Sequence, residues 1–535
     1  MNLALIISED CLNLNVYIPT PVNQDEPHEK LPVMVYVHGG SFKDGFGSAI
    51  IYSEGARKLM KLQRAILVSI NYRLGVFGFY SPPGATASKR NLGIRDIRMS
   101  FEWVQEHIHM FGGDPDQVTA VGFSAGSSSS YFNLVSISLL LTAEDGTLSG
   151  LFSAAVLQSG FTLPILETPE SIRAVSSYIS QRSNCNIKDY QKLMKCMKEL
   201  SPSDLLRLSI ETNTAFDSPL GTIWLPVIDG EFIKRQQWQS LDMGLFVKVP
   251  LLMTMANSEA YTFMTKISTE KEASFWIKSA LPYLGKSDIN KIKSFYPEET
   301  ASDPPFYKSS QIMTDYFFRC QCRALSIAYT RAKVPVTIAV FSHTPVLFRK
   351  TSTGSRIVAH GEDLAYIWQT HFAMSHENGE IHLSELFGSA ILDFLACKST
   401  TCKVGGKFDT QKWKSAHRDG DSKIYYMDLK APINEIRAKS EPASDEKCNL
   451  FASQIRDRGD EISGLKIKNS YSVPEAPLFN FNPKNMVYLA LNTVLGRKAH
   501  LQFDSISSIY DQTKGLISRN NPFQSSTKIL ELGTK

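Results

Sequence analysis

Phe111-Gly-Gly-Asp-Pro-Asp-Gln-Val-Thr-Ala-Val-Gly-Phe-Ser124-Ala-Gly126 ends in G-x-S-x-G, and the apolar run Val118 to Val121 enters that pentapeptide as a strand would. A serine held on a sharp strand-to-helix turn needs small neighbours, because side chains at Gly122 and Gly126 would collide with nearby backbone. Such a turn lifts the hydroxyl out of a sheet, so Ser124 is the candidate nucleophile. The pentapeptide alone is weak: at average residue frequencies it arises by chance in roughly one chain of this length in eight, and an ordinary Gly/Ser turn has the same signature. The upstream segment Val33-Met-Val-Tyr-Val-His-Gly-Gly-Ser-Phe42 moves the balance, since it is a second apolar strand running into a His-Gly-Gly loop of the oxyanion-hole kind.

Further segments follow in a consistent order: Ser8-Glu-Asp-Cys-Leu-Asn-Leu-Asn-Val-Tyr-Ile-Pro19, Asn71-Tyr-Arg-Leu-Gly-Val-Phe-Gly-Phe79, Asn91-Leu-Gly-Ile-Arg-Asp96, Leu157-Gln-Ser-Gly160 and Leu225-Pro-Val-Ile-Asp-Gly230. Together with the two glycine loops they resemble the type-B carboxylesterases, the family of cholinesterases, bile-salt-activated lipase, fungal lipases and neuroligin-type adhesion proteins. The resemblance runs from about residue 8 to 430 and fades after the Asp409 to Tyr426 region; beyond roughly residue 460 it is lost. Two departures stand out. Asn13 occupies a position where the family usually has an aromatic residue, and Met1 lies almost against the S-E-D-C-L block, where relatives carry some tens of preceding residues. The resemblance implies an α/β-hydrolase fold: a mostly parallel central sheet flanked by helices, with helical cap insertions over the site.

A serine hydroxyl is a poor nucleophile near neutral pH, so it needs a histidine base, and the histidine needs a carboxylate to fix its tautomer. In α/β-hydrolases these follow in chain order Ser, Asp or Glu, His. The strand-like Val249 to Met255 runs into Ala256-Asn-Ser-Glu259, which resembles the family's glutamate loop and implies Glu259 as the acid. Val358-Ala-His360-Gly-Glu-Asp-Leu resembles the family's H-G-x-[ED] segment and implies His360 as the base. The donors for the oxyanion are, by position, the backbone N–H groups of Gly40, Ser41 and Ala125, with Gly39 shaping the turn. Relatives usually place Gly or Ala where Ser41 stands, so serine requires dihedrals that suit a side chain. Phe123 replaces the Glu or Gln common before the nucleophile, which favours neutral esters over cationic choline-type substrates.

The 535-residue chain carries a formal charge of +4, which gives no electrostatic case for a nucleic-acid partner or an anionic membrane surface. No stretch approaches the roughly 18 apolar residues of a transmembrane helix. The partner expected is a small-molecule or lipid ester; no cofactor is needed, and the oligomeric state is open. The eight cysteines lack the C-x-x-C pairs of a zinc site, so no metal is expected. Cys185 and Cys196 resemble the family's small disulfide loop, and Cys11 resembles a half-cystine whose partner lies in the segment that relatives carry before it. The resemblance implies a secreted or endoplasmic-reticulum enzyme. Against this, Met1 to Ile7 has no basic start or cleavage site and reads as a strand, and no N-x-[ST] sequon is present. The compartment stays open.

Short apolar runs predict strands at Leu14 to Ile18, Val33 to Val37, Ile66 to Ile70, Val118 to Val121, Ala154 to Leu157, Pro250 to Met255 and Thr337 to Phe341. A helix is expected over Ile97 to Met110, with Phe101, Trp103, Val104 and Ile108 in the core, and helical insertions over 169–208 and 271–332. Residues 1–459 form the expected hydrolase domain and 460–535 a C-terminal extension, partly helical or disordered. The function these readings favour is hydrolysis of carboxylic esters by a serine hydrolase. The alternatives are a weak or inactive adhesion or scaffold relative, and a truncated gene product with an exposed sheet edge.

Overall fold

The seven strands expected between Leu14 and Phe341 form, and they lie in a single ten-stranded sheet. The protein's computed structural model describes residues 8–19, 30–48, 55, 64–124, 136–162, 166–170, 172–185, 187–217, 223–263, 269–281, 285–296, 304–344, 357–370, 374, 379–398, 416, 423–430, 437–442, 446–458, 466–467 and 530–532. The strand expected at Met1 to Ile7 and the oxyanion donor Ala125 lie outside them. The strands are β1 (Leu14–Tyr17), β2 (Leu31–Val37), β3 (Ile66–Ile70), β4 (Gly113–Phe123), β5 (Ala154–Gln158), β6 (Phe216–Asp217), β7 (Leu251–Ala256), β8 (Val336–Phe341), β9 (Lys423–Leu429), β10 (Arg437–Pro442), β11 (Lys466–Ile467) and β12 (Leu530–Leu532). The sheet order is β10-β9-β8-β7-β5-β4-β2-β3-β1-β12, and β6 pairs separately with β11. From β3 through β9 every pairing is parallel, while β1, β10 and β12 join antiparallel at the two ends. With helices on both sides this is the α/β-hydrolase architecture.

Continuous apolar runs form the central strands because both faces are covered. Every residue of β3, β5, β7 and β8 is buried. Alternation then deals the side chains to two cores: Val33, Val35 and Val37 to one, Met34 and Tyr36 to the other. β9 and β10 were not expected as strands; β10 (RAKSEP) is an edge strand whose polar sequence carries no buried-strand signal.

The helix expected from Ile97 runs from Leu92 to His107 and continues as a 3₁₀ turn to Phe111. It begins earlier because Asn91 adopts a left-handed φ of 54° and anchors the turn with its amide, which bonds Val227 O, Val227 N and Asp229. Phe101, Val104 and Ile108 are fully buried, whereas Trp103 is half-buried and stacks on His107. The two helical insertions form as well, the first as Arg173–Arg182, Tyr190–Glu199 and Pro202–Ala215. The second comprises Glu270–Ala280, Lys286–Ser294, Pro304–Thr314, a π-helical turn Asp315–Arg319, and Cys320–Arg331. Cys185 and Cys196 form the disulfide that the resemblance implied, and a second, unanticipated one joins Cys320 to Cys448. Cys11 is a free thiol.

Candidate active site

β4 ends at Phe123, and Ser124 turns the chain with a φ of 38°, a left-handed value that a residue with a side chain adopts only under constraint. The constraint is the parallel sheet itself. Gly122 is paired with Val37 on one side and Leu157 on the other, and the Ser124 N–H donates to Gln158 O at 2.9 Å. Ser124 is thus held at the C-terminal end of the central strands.

The loop after β2 stands beside it in the sheet order. Gly40 has a φ of 131°, and a Cβ there would sit 1.4 Å from Asp44 O, because the N–H groups of Lys43 and Asp44 both fold back to Gly40 O at 2.8 Å. Only glycine fits that turn. Ser41 and Phe42 follow at φ 51° and 56°, so Ser41 is in the left-handed region and does not have the relaxed dihedrals that the sequence reading required for a side chain. His38 braces the loop from below. Its ring stacks on Tyr72 at 4.6 Å, its Nδ1 lies 2.6 Å from Gly39 O, and the Tyr72 hydroxyl donates to His38 O. Burial pulls the His38 pKa down to about 4, with the bond to Gly39 opposing. A neutral ring at pH 7 therefore donates from Nδ1.

Glu259 and His360 meet directly. His360 Nδ1 is 2.5 Å from Glu259 Oε2, while Glu259 Oε1 accepts the Ala256 N–H at 2.7 Å. The two loops are also joined by backbone: Ser258 N donates to Val358 O, and Val358 N donates to Asn257 Oδ1. Thr314 Oγ1 accepts the Ala260 N–H. With the proton on Nδ1 held by the carboxylate, Nε2 is the nitrogen left to exchange a proton.

The imidazole is packed between aromatic rings. Phe123, immediately before Ser124, stacks on it at 5.1 Å with planes 19° apart, and Phe318 from the π-helical turn approaches at 5.8 Å. The first contact brings the serine turn and the histidine together. Phe123 is fully buried, so it lies under the base and is not an open gorge floor. Just after the histidine in the chain come Glu362 and Asp363, both pushed up to about 8, first by burial and further by neighbouring carboxylates, Glu259 among them. The sequence reading missed Phe318, Gln158, Asn257 and Asp363. Of these, Gln158, Asn257 and Asp363 stood in motif segments already singled out, whereas Phe318 lay only within the expected helical insertion.

Residues 1–450 match the model of the carboxylesterase family. The chain belongs to the carboxylesterase family. It is 28% identical over 461 residues to the crystal protein of Dictyostelium discoideum, covering 83% of this chain and 77% of that one. It is 33% identical over 263 residues to acetylcholinesterase of Bungarus fasciatus, covering 48% and 40%, so it spans less than half of that relative. Among solved structures PNB esterase aligns with a TM-score of 0.65 and 26% identity over 83% of this chain and 85% of its own. Aspergillus niger EstA aligns with a TM-score of 0.68 over 84% and 85% at 21% identity, a likeness of fold. Membership of the carboxylesterase family supports ester hydrolysis in general, and no described helix is long and apolar enough to cross a membrane.

Proposed function

We propose that this carboxylesterase-family member is a serine hydrolase that cleaves carboxylic esters through an acyl-enzyme. The observation that carries the reading is the bond between His360 Nδ1 and Glu259 Oε2, with the Phe123–Ser124 turn stacked on the same imidazole. His360 Nε2 takes the Ser124 proton as Oγ attacks the acyl carbon. The tetrahedral oxyanion is held by backbone N–H groups of Gly40, Ser41 and Ala125. Collapse expels the alcohol, which leaves with the proton from Nε2, and water then attacks the acyl-serine by the same relay. Glu259 stays ionised and steadies the imidazolium.

The substrate class is a neutral ester of small-molecule or lipid type. Phe123 stands where the family commonly has Glu or Gln and supplies no carboxylate to attract a cation, so a butyrate ester is expected to be cleaved faster than butyrylcholine at equal concentration; preference for the choline ester would reject this specificity.

Purified protein should hydrolyse p-nitrophenyl butyrate, and Ser124→Ala should lose at least about a thousandfold of kcat with unchanged thermal unfolding. A folded wild type without activity would replace this reading with the adhesion or scaffold alternative. A chain-length series of p-nitrophenyl esters then measures the acyl preference.

A further inference from the structure

One segment of the chain touches both members of the Glu259–His360 pair. Gln311 Nε2 donates to Ser258 Oγ at 3.0 Å, Thr314 Oγ1 accepts the Ala260 N–H at 3.0 Å, and Phe318 packs on the His360 ring at 5.8 Å. Ser258 and Ala260 flank Glu259 on either side, so the acid loop is gripped before and after its carboxylate. Between Thr314 and Phe318 the helix Pro304–Thr314 widens into the π-helical turn Asp315–Arg319. That geometry is rare in proteins and occurs mostly as single turns at functional sites. With Thr314 fixed to the acid loop, the shape of the turn decides where Phe318 lies.

Asp315 opens the turn and is 1% exposed. Its Oδ2 accepts the Tyr296 hydroxyl at 2.6 Å and Lys447 Nζ at 3.0 Å, and its Oδ1 lies 2.9 Å from Arg319 Nη1 at the far end of the turn. The Lys447 ammonium also stands over the Tyr296 ring, 5.1 Å from its centroid. Charge-assisted bonds to a carboxylate withdrawn from water are strong. One side chain thus ties the turn across itself to Arg319 and outward to two other segments, the end of the helix Lys286–Ser294 and the helix Glu446–Arg458.

We propose that Asp315 is a positioning residue for the ester hydrolysis described above: by fixing the π-helical turn it sets Phe318 against His360, so that the imidazole keeps one orientation. The proposal rests on the serine mechanism with His360 as base. A catalytic group misplaced by about 1 Å can cost up to about a hundredfold in rate, so a brace that touches no reacting atom still reaches the chemistry.

The experiment follows the proton on His360 Nδ1 by one-dimensional proton NMR of the full chain, beside hydrolysis of p-nitrophenyl butyrate, well below the melting temperature of each variant. In the wild type this proton, which faces Glu259 Oε2 at 2.5 Å, should give a sharp far-downfield resonance. Asp315→Asn should broaden it and lower kcat and kcat/KM together by about tenfold. Tyr296→Phe removes only a hydroxyl at a half-buried position and so spares the fold; it should act in the same direction by about threefold. Phe318→Leu should reproduce both effects, and adding Asp315→Asn to it should cost less than about twofold more, whereas a general loosening of the fold would add in full. Full additivity, an unaffected Phe318→Leu, or resonance and rates unchanged in Tyr296→Phe overturns the proposal. The resonance separates this role from the function it serves: a wild type that shows it but cleaves no ester rejects the serine mechanism, and broadening in the variants then still decides whether Asp315 holds the imidazole. A wild type that cleaves the ester with the resonance already broad would show that the ring is not held, and overturns the proposal alone.

Discussion

Phe123 shows what one residue can set and what a sequence alone can say about it. Its identity was legible as a departure beside the nucleophile, but its position against the imidazole depends on how β4 and the His360 loop meet. A carboxylate placed there would favour imidazolium, so Phe123→Glu is expected to raise the acidic-limb pKa of kcat/KM by about one to three units. Phe123→Leu should leave that limb in place, and a pH–rate profile decides. Asp363 makes a second prediction, about stability. Its folded pKa of about 8 lies above its ordinary carboxylate value, so folding favours the protonated form. Below the ordinary value both states are protonated and nothing is lost. As pH rises from about 4 toward 8, the unfolded chain ionises while the folded one resists, and stability falls; beyond that window the loss levels off. Asp363→Asn should therefore gain on the wild type in melting temperature between those limits, the gap widening with pH. A constant gap would contradict the assignment. Ser124, Glu259 and His360 were each named from local motifs because elbow, acid loop and H-G-x-[ED] segment are contiguous in the chain. Phe318 was not, because the π-helical turn that aims it at His360 has no sequence pattern of its own.

At the scale of elements, the same distinction separates what periodicity encodes from what pairing decides. β2, β3, β5, β7 and β8 were legible because burial on both faces demands an unbroken apolar run. β10 was not, because a charged edge strand reads as loop. The Cys320–Cys448 disulfide was equally invisible, since connectivity among eight cysteines cannot be read from spacing. It fastens the helix Glu446–Arg458 to the segment carrying Phe318, where Phe451 also packs on Tyr316. The bond closes a sequence separation of 128 residues, so loop entropy predicts a loss of about 5 kcal/mol in Cys448→Ser. Chemical denaturation of oxidised wild type and variant measures it, and a difference under about 1 kcal/mol would mean that packing alone holds the helix. The loop after β2 has its own pH dependence. His38 is pulled down to about 4, so its contribution is complete above its ordinary pKa near 6.5 and is lost as pH falls toward 4. His38→Asn should lower stability at pH 7, where the bond to Gly39 is lost, but flatten the decline in acid.

Over the whole molecule, the segment beyond the boundary drawn at residue 459 pairs as strand at two places, one of them in the main sheet. β11 pairs with β6, and β12 lies along the outer edge of β1 with Leu14 opposite Leu532 and Val16 opposite Leu530. Composition could not show this, because strand pairing at an edge uses backbone groups that every residue carries. Ser124, His38, Glu259 and His360 all stand on or just after strands between β2 and β8 or in the loop that follows β8, so a chain cut after 459 should retain p-nitrophenyl ester hydrolysis if the proposed mechanism holds. It would lose the partner of β1, and an unpaired edge is a template for another chain. The truncated protein is therefore expected to associate with rising concentration in light scattering, while the full chain at the same concentrations does not. Introducing a lysine into the edge, as in Asn15→Lys, should suppress that association, because a charge on an open strand opposes pairing. A truncated chain that scatters like the full one at every concentration would show that β12 does not guard the edge and that residues 460–535 are dispensable to the sheet.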